Sequence, residues 1–177
     1  MDGELTYSNY HNDETANIDI EKVKLLREVC AKTGAKVVIS SSWRGSEDYT
    51  PRIYYILRDI LLKNKIEVLG DTPYIRTEIV DDVPETISFA ESLSVECKYG
   101  TGRAAEIQKW INEHDIENFV ILDDEDWKWS DYGYENNWIQ PTWFGDGGLK
   151  KEHVNRAIKY WESLETTLSF GRKGEII

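Results

Sequence analysis

A layered α/β fold, with one parallel sheet and helices on both faces, is what this chain predicts, and three observations carry the prediction. Two short apolar runs, Val37-Val38-Ile39 and Phe119-Val120-Ile121-Leu122, have no polar interruption, the pattern of strands buried on both faces of a parallel sheet. Stretches of helical periodicity alternate with such runs, which implies right-handed parallel crossovers and a three-layer sandwich. Each run then stops in residues that do chemistry, Ser40-Ser41-Ser42 after the first and Asp123-Asp124 after the second. In open α/β sheets ligands bind beyond the carboxyl ends of the strands, so these hydroxyls and carboxylates should meet in one crevice. Hydroxyls facing paired carboxylates suggest a phosphate held beside a hard cation.

The elements follow in order. Asp19 to Lys32 places Ile20, Val23, Leu26, Val29 and Cys30 on one helical stripe, stopped by Thr33-Gly34. Ala35 to Ser40 reads as a buried strand. Thr50-Pro51 opens a helix with a cap and a proline at its first position. That helix runs to about Lys63 and buries Ile53, Ile56, Leu57, Ile60 and Leu61. Ile66 to Leu69 is a further short strand, closed by Gly70-Asp71. Thr72 to Gly102, with Pro73, Pro84 and Gly100-Thr101-Gly102, reads as a long connection. Arg103 to His114 is amphipathic through Ile107, Trp110 and Ile111, and feeds the strand Phe119 to Leu122. An aromatic-rich loop leads to a short strand near Trp138-Ile139-Gln140. Leu149 to Leu164 is the last helix, with Val154, Ile158, Trp161 and Leu164 inward, and the tail from Thr166 is expected to be loosely held.

With 177 residues there is room for one domain with a full core, and no repeat, linker or low-complexity segment divides it. The formal net charge of −12 disfavours non-specific adhesion to nucleic acid, which depends on lysine and arginine neutralising phosphates. Of the two cysteines, Cys30 on its apolar helix face is expected to be a buried free thiol. No secretory leader opens the sequence and no apolar stretch is long enough to span a bilayer, so the expected location is cytoplasmic and no membrane partner is expected. His11, His114 and His153 show no metal-ligand spacing and read as surface residues.

The order of these features resembles the haloacid-dehalogenase (HAD) superfamily, and most closely the small HAD domain of Swiss-army-knife RNA-repair proteins. A strand followed by Ser-Ser-Ser-Trp-Arg, then Thr-Pro, Arg-Ala-Ala-Glu-Ile, a strand ending in Asp-Asp, and Gly-Leu before a last helix carry the resemblance from Asp2 to about Leu164. It implies a Rossmann-like parallel sheet with a minimal cap, and a Mg²⁺-dependent phosphatase working through an aspartyl-phosphate. Ser41, with Ser42 beside it, matches the hydroxyl that binds phosphoryl oxygens. Arg103, which opens a helix, matches the charge-neutralising cation, with Lys98 as the competing candidate. Asp123 and Asp124 match the acids that hold magnesium. Met1-Asp2-Gly3-Glu4-Leu5 matches x-Asp-Gly-x-Leu, making Asp2 the general acid/base and a further metal ligand.

One departure stands at the start. The attacking aspartate of the family pattern would precede Met1, together with the apolar strand that should lead into it inside the sheet. As written, the chain lacks a nucleophile and covalent catalysis should fail. Losing an interior strand should also leave two neighbouring strands with unpaired backbone groups. Two explanations compete: an internal methionine of a longer reading frame, or a non-catalytic protein that binds phosphate, nucleotide or another protein. A receiver-like signalling domain also uses clustered acids and a hydroxyl, but there the acid pair belongs near the beginning.

Each residue also has a plainer role open to it. Ser41 and Ser42 can cap a turn, Asp123-Asp124 can open a solvated loop, and Arg103 can sit on a solvated first turn. Arg44 divides between a substrate phosphate and a structural ion pair, and Trp43 reads as packing. The aromatic cluster Trp127, Trp129, Tyr132, Tyr134, Trp138, Trp143 and Phe144 can stack on bases, but reads better as a loop pinned by its own tryptophans. With so short a cap, the expected partner is a phosphorylated small molecule, such as a nucleotide, or a nucleic-acid end contacted over few phosphates.

Overall fold

The computed structural model describes residues 18–41, 51–73, 75, 102–143, 145, 147–167 and 175–176. The first helix, α1 (Ile20–Thr33), starts where Asp19 accepts a hydrogen bond from the Glu21 amide at 2.8 Å and ends at Gly34, whose φ of 71° lets its N–H return to the Cys30 carbonyl. Val23, Leu26 and Val29 are buried, whereas Ile20 faces solvent. The inward stripe therefore begins one turn later than the sequence pattern suggests. Strand β1 (Lys36–Ile39) follows, then α2 (Pro51–Lys63), β2 (Val68–Asp71), α3 (Arg103–His114), β3 (Phe119–Leu122), a 3-10 turn (Trp129–Tyr132), β4 (Trp138–Ile139), α4 (Lys151–Thr167) and β5 (Glu175–Ile176).

Strand β2 lies two residues later than expected and takes in Gly70 and Asp71. Gly70 belongs to the strand because Trp110 of α3 packs over it. A Cβ there would stand 2.7 Å from the indole Cη2, so only glycine leaves room for the ring.

The five strands form one parallel sheet in the order β2-β1-β5-β3-β4. A loosely held tail was expected from Thr166. Instead α4 continues through Thr167, and Glu175–Ile176 pair in the middle of the sheet. Backbone pairing is thereby supplied to both β1 and β3. Glu175 pairs with both Lys36 and Phe119, and Ile176 with both Val37 and Val120. Counting on along the strands, Ser40 is level with Asp123 and Ser41 with Asp124.

Alternation along the strands divides the core. Val37, Ile39, Val120 and Leu122 join the cluster built with α1, α2 and α4, around Leu26, Leu57, Leu61, Val154 and Trp161. Val38, Phe119 and Ile121 join the cluster built with α3 and the aromatic stretch, around Ile107, Trp129 and Tyr134. The mixed α/β class read from the sequence is what the chain adopts. No helix among the described residues is long and apolar enough to cross a membrane.

Candidate functional site

The chemistry-bearing residues lie at the carboxyl ends of the strands. Period-two alternation puts Asp123 on the same side of β3 as Phe119 and Ile121, the side covered by α3. The first residue of that helix is Arg103, and its Nη1 donates to Asp123 Oδ2 at 3.0 Å. The ion pair is well shielded, with side-chain exposures of 12% for Arg103 and 3% for Asp123. The other carboxylate oxygen, Oδ1, accepts from the Glu125 amide at 2.9 Å and from the Trp127 indole at 3.2 Å. Trp127 also lies under the Arg103 guanidinium, 5.3 Å from its ring centroid, so the three side chains close on one another. The helix opens at Gly102, whose φ of 87° favours glycine and where a Cβ would stand 3.5 Å from the Trp127 ring.

Asp124, half-buried beside this pair, has its pKa raised, first by burial and then by the neighbouring Asp123 charge, with Arg103 acting in the opposite direction. Two backbone carbonyls are also held by side chains: Trp138 Nε1 donates to that of Asp123 at 2.7 Å, and Gln140 Nε2 to that of Asp124 at 2.9 Å. The acid pair is thus clamped from the following loop. Ser41 is fully buried at the end of β1, and the buried Ser40 hydroxyl accepts from Thr72 at 3.1 Å. From α3, Glu106 accepts the Ile75 amide at 3.1 Å and so ties the segment after β2 to the helix carrying Arg103. At the end of β2, the Tyr54 hydroxyl donates to Asp71 Oδ2 and accepts from Arg58 at 3.0 Å. Burial and then Asp71 push the Tyr54 pKa up to about 12. Asp71 Oδ1 is the one buried side-chain polar atom among the described residues with no hydrogen-bond partner.

Of the site residues read from the sequence, Arg103 and Asp123 are in direct contact, Asp124 is adjacent to them, and Ser41 stands on the neighbouring side of β5, level with Asp124. Asp2, Ser42, Trp43, Arg44, Lys98 and Phe144 lie outside the described residues. Asp126 caps a local turn, accepting from the Lys128 amide at 2.8 Å. Trp127, Trp138 and Gln140 were missed as partners of the acid pair. The signal available was the aromatic cluster itself, since a buried indole N–H needs an acceptor. Trp129 is buried and donates to the Glu125 carbonyl at 3.0 Å, whereas Trp143 is 58% exposed.

His153 corrects an expectation. It is 4% exposed rather than on the surface, and its Nδ1 accepts the Lys150 amide at the start of α4. His114 is exposed and stacks on Trp110, and His11 lies outside the described residues.

Among the described residues no three His, Cys, Asp or Glu side chains gather as a metal cluster. The donors present fit a hard divalent cation in part. Asp124 is a half-buried carboxylate that a cation would keep ionised, while the Asp123 oxygens already accept from Arg103, Glu125 and Trp127.

No curated protein and no solved structure matches the chain. A family model described as the HAD domain in Swiss Army Knife RNA repair proteins matches residues 2–154. The Ser-Ser-Trp-Arg run, Arg103 and the Asp123-Asp124 pair all fall within that span, and the chain belongs to the family of HAD domains found in Swiss Army Knife RNA repair proteins.

Proposed function

We propose that this single-domain, three-layer protein carries the site of a Mg²⁺-dependent phosphoric monoester hydrolase. Its substrate would be the phosphorylated end of a nucleic acid or a nucleotide. The observation that carries the reading is the shielded Arg103–Asp123 ion pair beside Asp124, at the same strand ends as Ser41. A guanidinium fixed by a carboxylate and an indole is pre-oriented to meet the equatorial oxygens of a phosphoryl group without rearranging. Ser41, with Ser42 next in sequence, would donate to those oxygens from the other side. Asp123 and Asp124, joined by Asp2, would hold Mg²⁺, which offsets the charge of a phosphate dianion. Asp2 would move the proton to the leaving oxygen and from the attacking water. The description of the family as a domain of RNA repair proteins supports a nucleic-acid end as substrate.

One observation favours a second reading, a non-catalytic binder of phosphate ends. The Asp123 oxygens already accept from Arg103, Glu125 and Trp127, an arrangement that suits an anion-binding site without a full set of metal ligands. The test is Mg²⁺-dependent hydrolysis of an aryl phosphate by this chain and by one preceded by an apolar strand ending in aspartate. Activity confined to the extended chain, and abolished by Asp123→Asn with Asp124→Asn, is the expected result. Inactivity of both, with folding confirmed and phosphate bound, selects the binder.

A further inference from the structure

The tryptophans near the acid pair are spent on the fold, with one exception. Trp127 donates to the Asp123 carboxylate and Trp138 to its carbonyl, Trp129 is buried and donates to Glu125, and Trp110 packs over Gly70. Among the described residues Trp143 alone of the tryptophans is exposed, at 58%. The pairing of β4 with β3 fixes where it stands. Trp138 and Ile139 are the register partners of Ile121 and Leu122, so Gln140 is level with Asp123 and Pro141 with Asp124. Two residues of chain reach at most about 7 Å, and neighbouring strands lie about 4.8 Å apart. The Trp143 backbone therefore lies within roughly 12 Å of that of Asp124, at the carboxyl-end rim of the site.

The ring is seated and still exposed. Its loop closes where Thr142 Oγ1 donates to the Gly148 carbonyl at 3.1 Å and the Gly148 amide to the Trp143 carbonyl at 3.4 Å. The benzo part of the indole rests on Gly145, where a Cβ would stand 2.6 Å from Cε3 and closer still to Cζ3. A ring seated in this way loses little rotamer freedom when a ligand arrives. The charge of the chain says which ligand such a ring would serve. At a net charge of −12, contacts that read a nucleic-acid end beyond its phosphate must work without a surplus of cations. An aromatic face does so, because every base has a π-face of its own.

We infer that Trp143 is a base-stacking platform, receiving the base of the nucleotide whose phosphate is bound at Arg103, Ser41 and Asp124. This rests on the phosphate reading of the site and adds to it a recognition residue that selects nucleoside phosphates over phosphorylated sugars. Stacking ignores the hydrogen-bonding edges of the bases, so all of them are accepted, with purines favoured for their larger ring area.

The test measures the affinity of the full chain, in the presence of Mg²⁺, for adenosine 5′-monophosphate, adenosine 3′-monophosphate and ribose 5-phosphate. At least one adenosine phosphate should bind more tightly than ribose 5-phosphate. Trp143→Ala should abolish that preference by weakening the adenosine phosphate roughly 5–150-fold, the range that stacking on one base spans. Trp143→Phe should restore part of it. Gly145→Ala, which removes the seat and leaves the indole, should lower it too. A merely structural tryptophan would move all three ligands together or shift the unfolding midpoint alone. Loss of affinity for ribose 5-phosphate in the same proportion therefore overturns the inference, as does a preference that Trp143→Ala leaves intact. Equal affinity of the unaltered chain for the adenosine and ribose phosphates also overturns it, while the phosphate reading stands. A folded chain that binds none of the three removes the phosphate reading and the platform with it, so the two failures are told apart.

Discussion

At the scale of single residues, the Arg103–Asp123 pair has the most at stake. Removing one partner leaves the other charge shielded from water without compensation. Arg103→Ala is therefore expected to destabilise the fold by about 3–5 kcal/mol, read as a lower denaturant midpoint with an unchanged slope. Arg103→Lys keeps the charge but loses the planar fork that meets both Asp123 and Trp127, so phosphate affinity should fall even where stability is largely kept. His153 gives a pH dependence of known sign. Burial first, then Arg156, Lys150 and Lys22, hold its pKa below the ordinary value, against the opposing pull of Glu152. Above about pH 6.5 the ring is neutral in both folded and unfolded chains. As pH falls through that value the unfolded chain takes up a proton that the folded one resists, so stability drops toward the lower folded pKa. His153→Gln, which keeps an acceptor for the Lys150 amide, should flatten the stability profile between about pH 7 and 5. Cys30 supplies a third check. Burial pushes its pKa up to about 11, so alkylation by iodoacetamide near neutral pH should be slow until the chain is unfolded.

At the scale of elements, the ones legible in the sequence were those whose signal is local. Helix α3 has a glycine before it and a 3.6-residue apolar stripe, and β3 is an uninterrupted apolar run, so both fell where expected. Strand β2 was displaced because Gly70 was read as a terminator. Its reason for being glycine is the Trp110 ring across the interface, a contact that no local pattern encodes. Gly70→Ala should therefore cost about 1–3 kcal/mol by overpacking against that ring, and a Gly70→Ala, Trp110→Leu double variant should recover part of the loss. For the candidate site, local signals reached only the residue types. Residue types at strand ends named Ser41, Asp123 and Asp124, and a helix start named Arg103. The side-chain clamp from Trp127, Trp138 and Gln140 was hidden because it depends on how one loop folds back on the strand before it.

At the scale of the whole molecule, a net charge of −12 surrounds a site read as binding an anion. Long-range attraction then contributes little to capture, and recognition rests on the contacts around the terminal phosphate. Affinity for an oligonucleotide bearing a terminal phosphate should exceed that for its dephosphorylated form, while lengthening the oligonucleotide should change it little. Equal affinity for both forms in a titration would count against end recognition. The central place of β5 was illegible in advance, because Glu175-Ile176-Ile177 is too short for any periodicity and its role is defined by partners far away in sequence. That placement bears on how the protein is made. Of the five strands, the one in the centre is the last to be synthesised, so on the ribosome β1 and β3 wait with facing edges open while the rest of the sheet is already available to assemble. Late closure of a parallel sheet through distant contacts is slow and leaves such edges exposed to other chains. Low temperature and slow expression should therefore favour soluble product, and proteolytic trimming near the C-terminal strand should remove the sheet's centre rather than an edge.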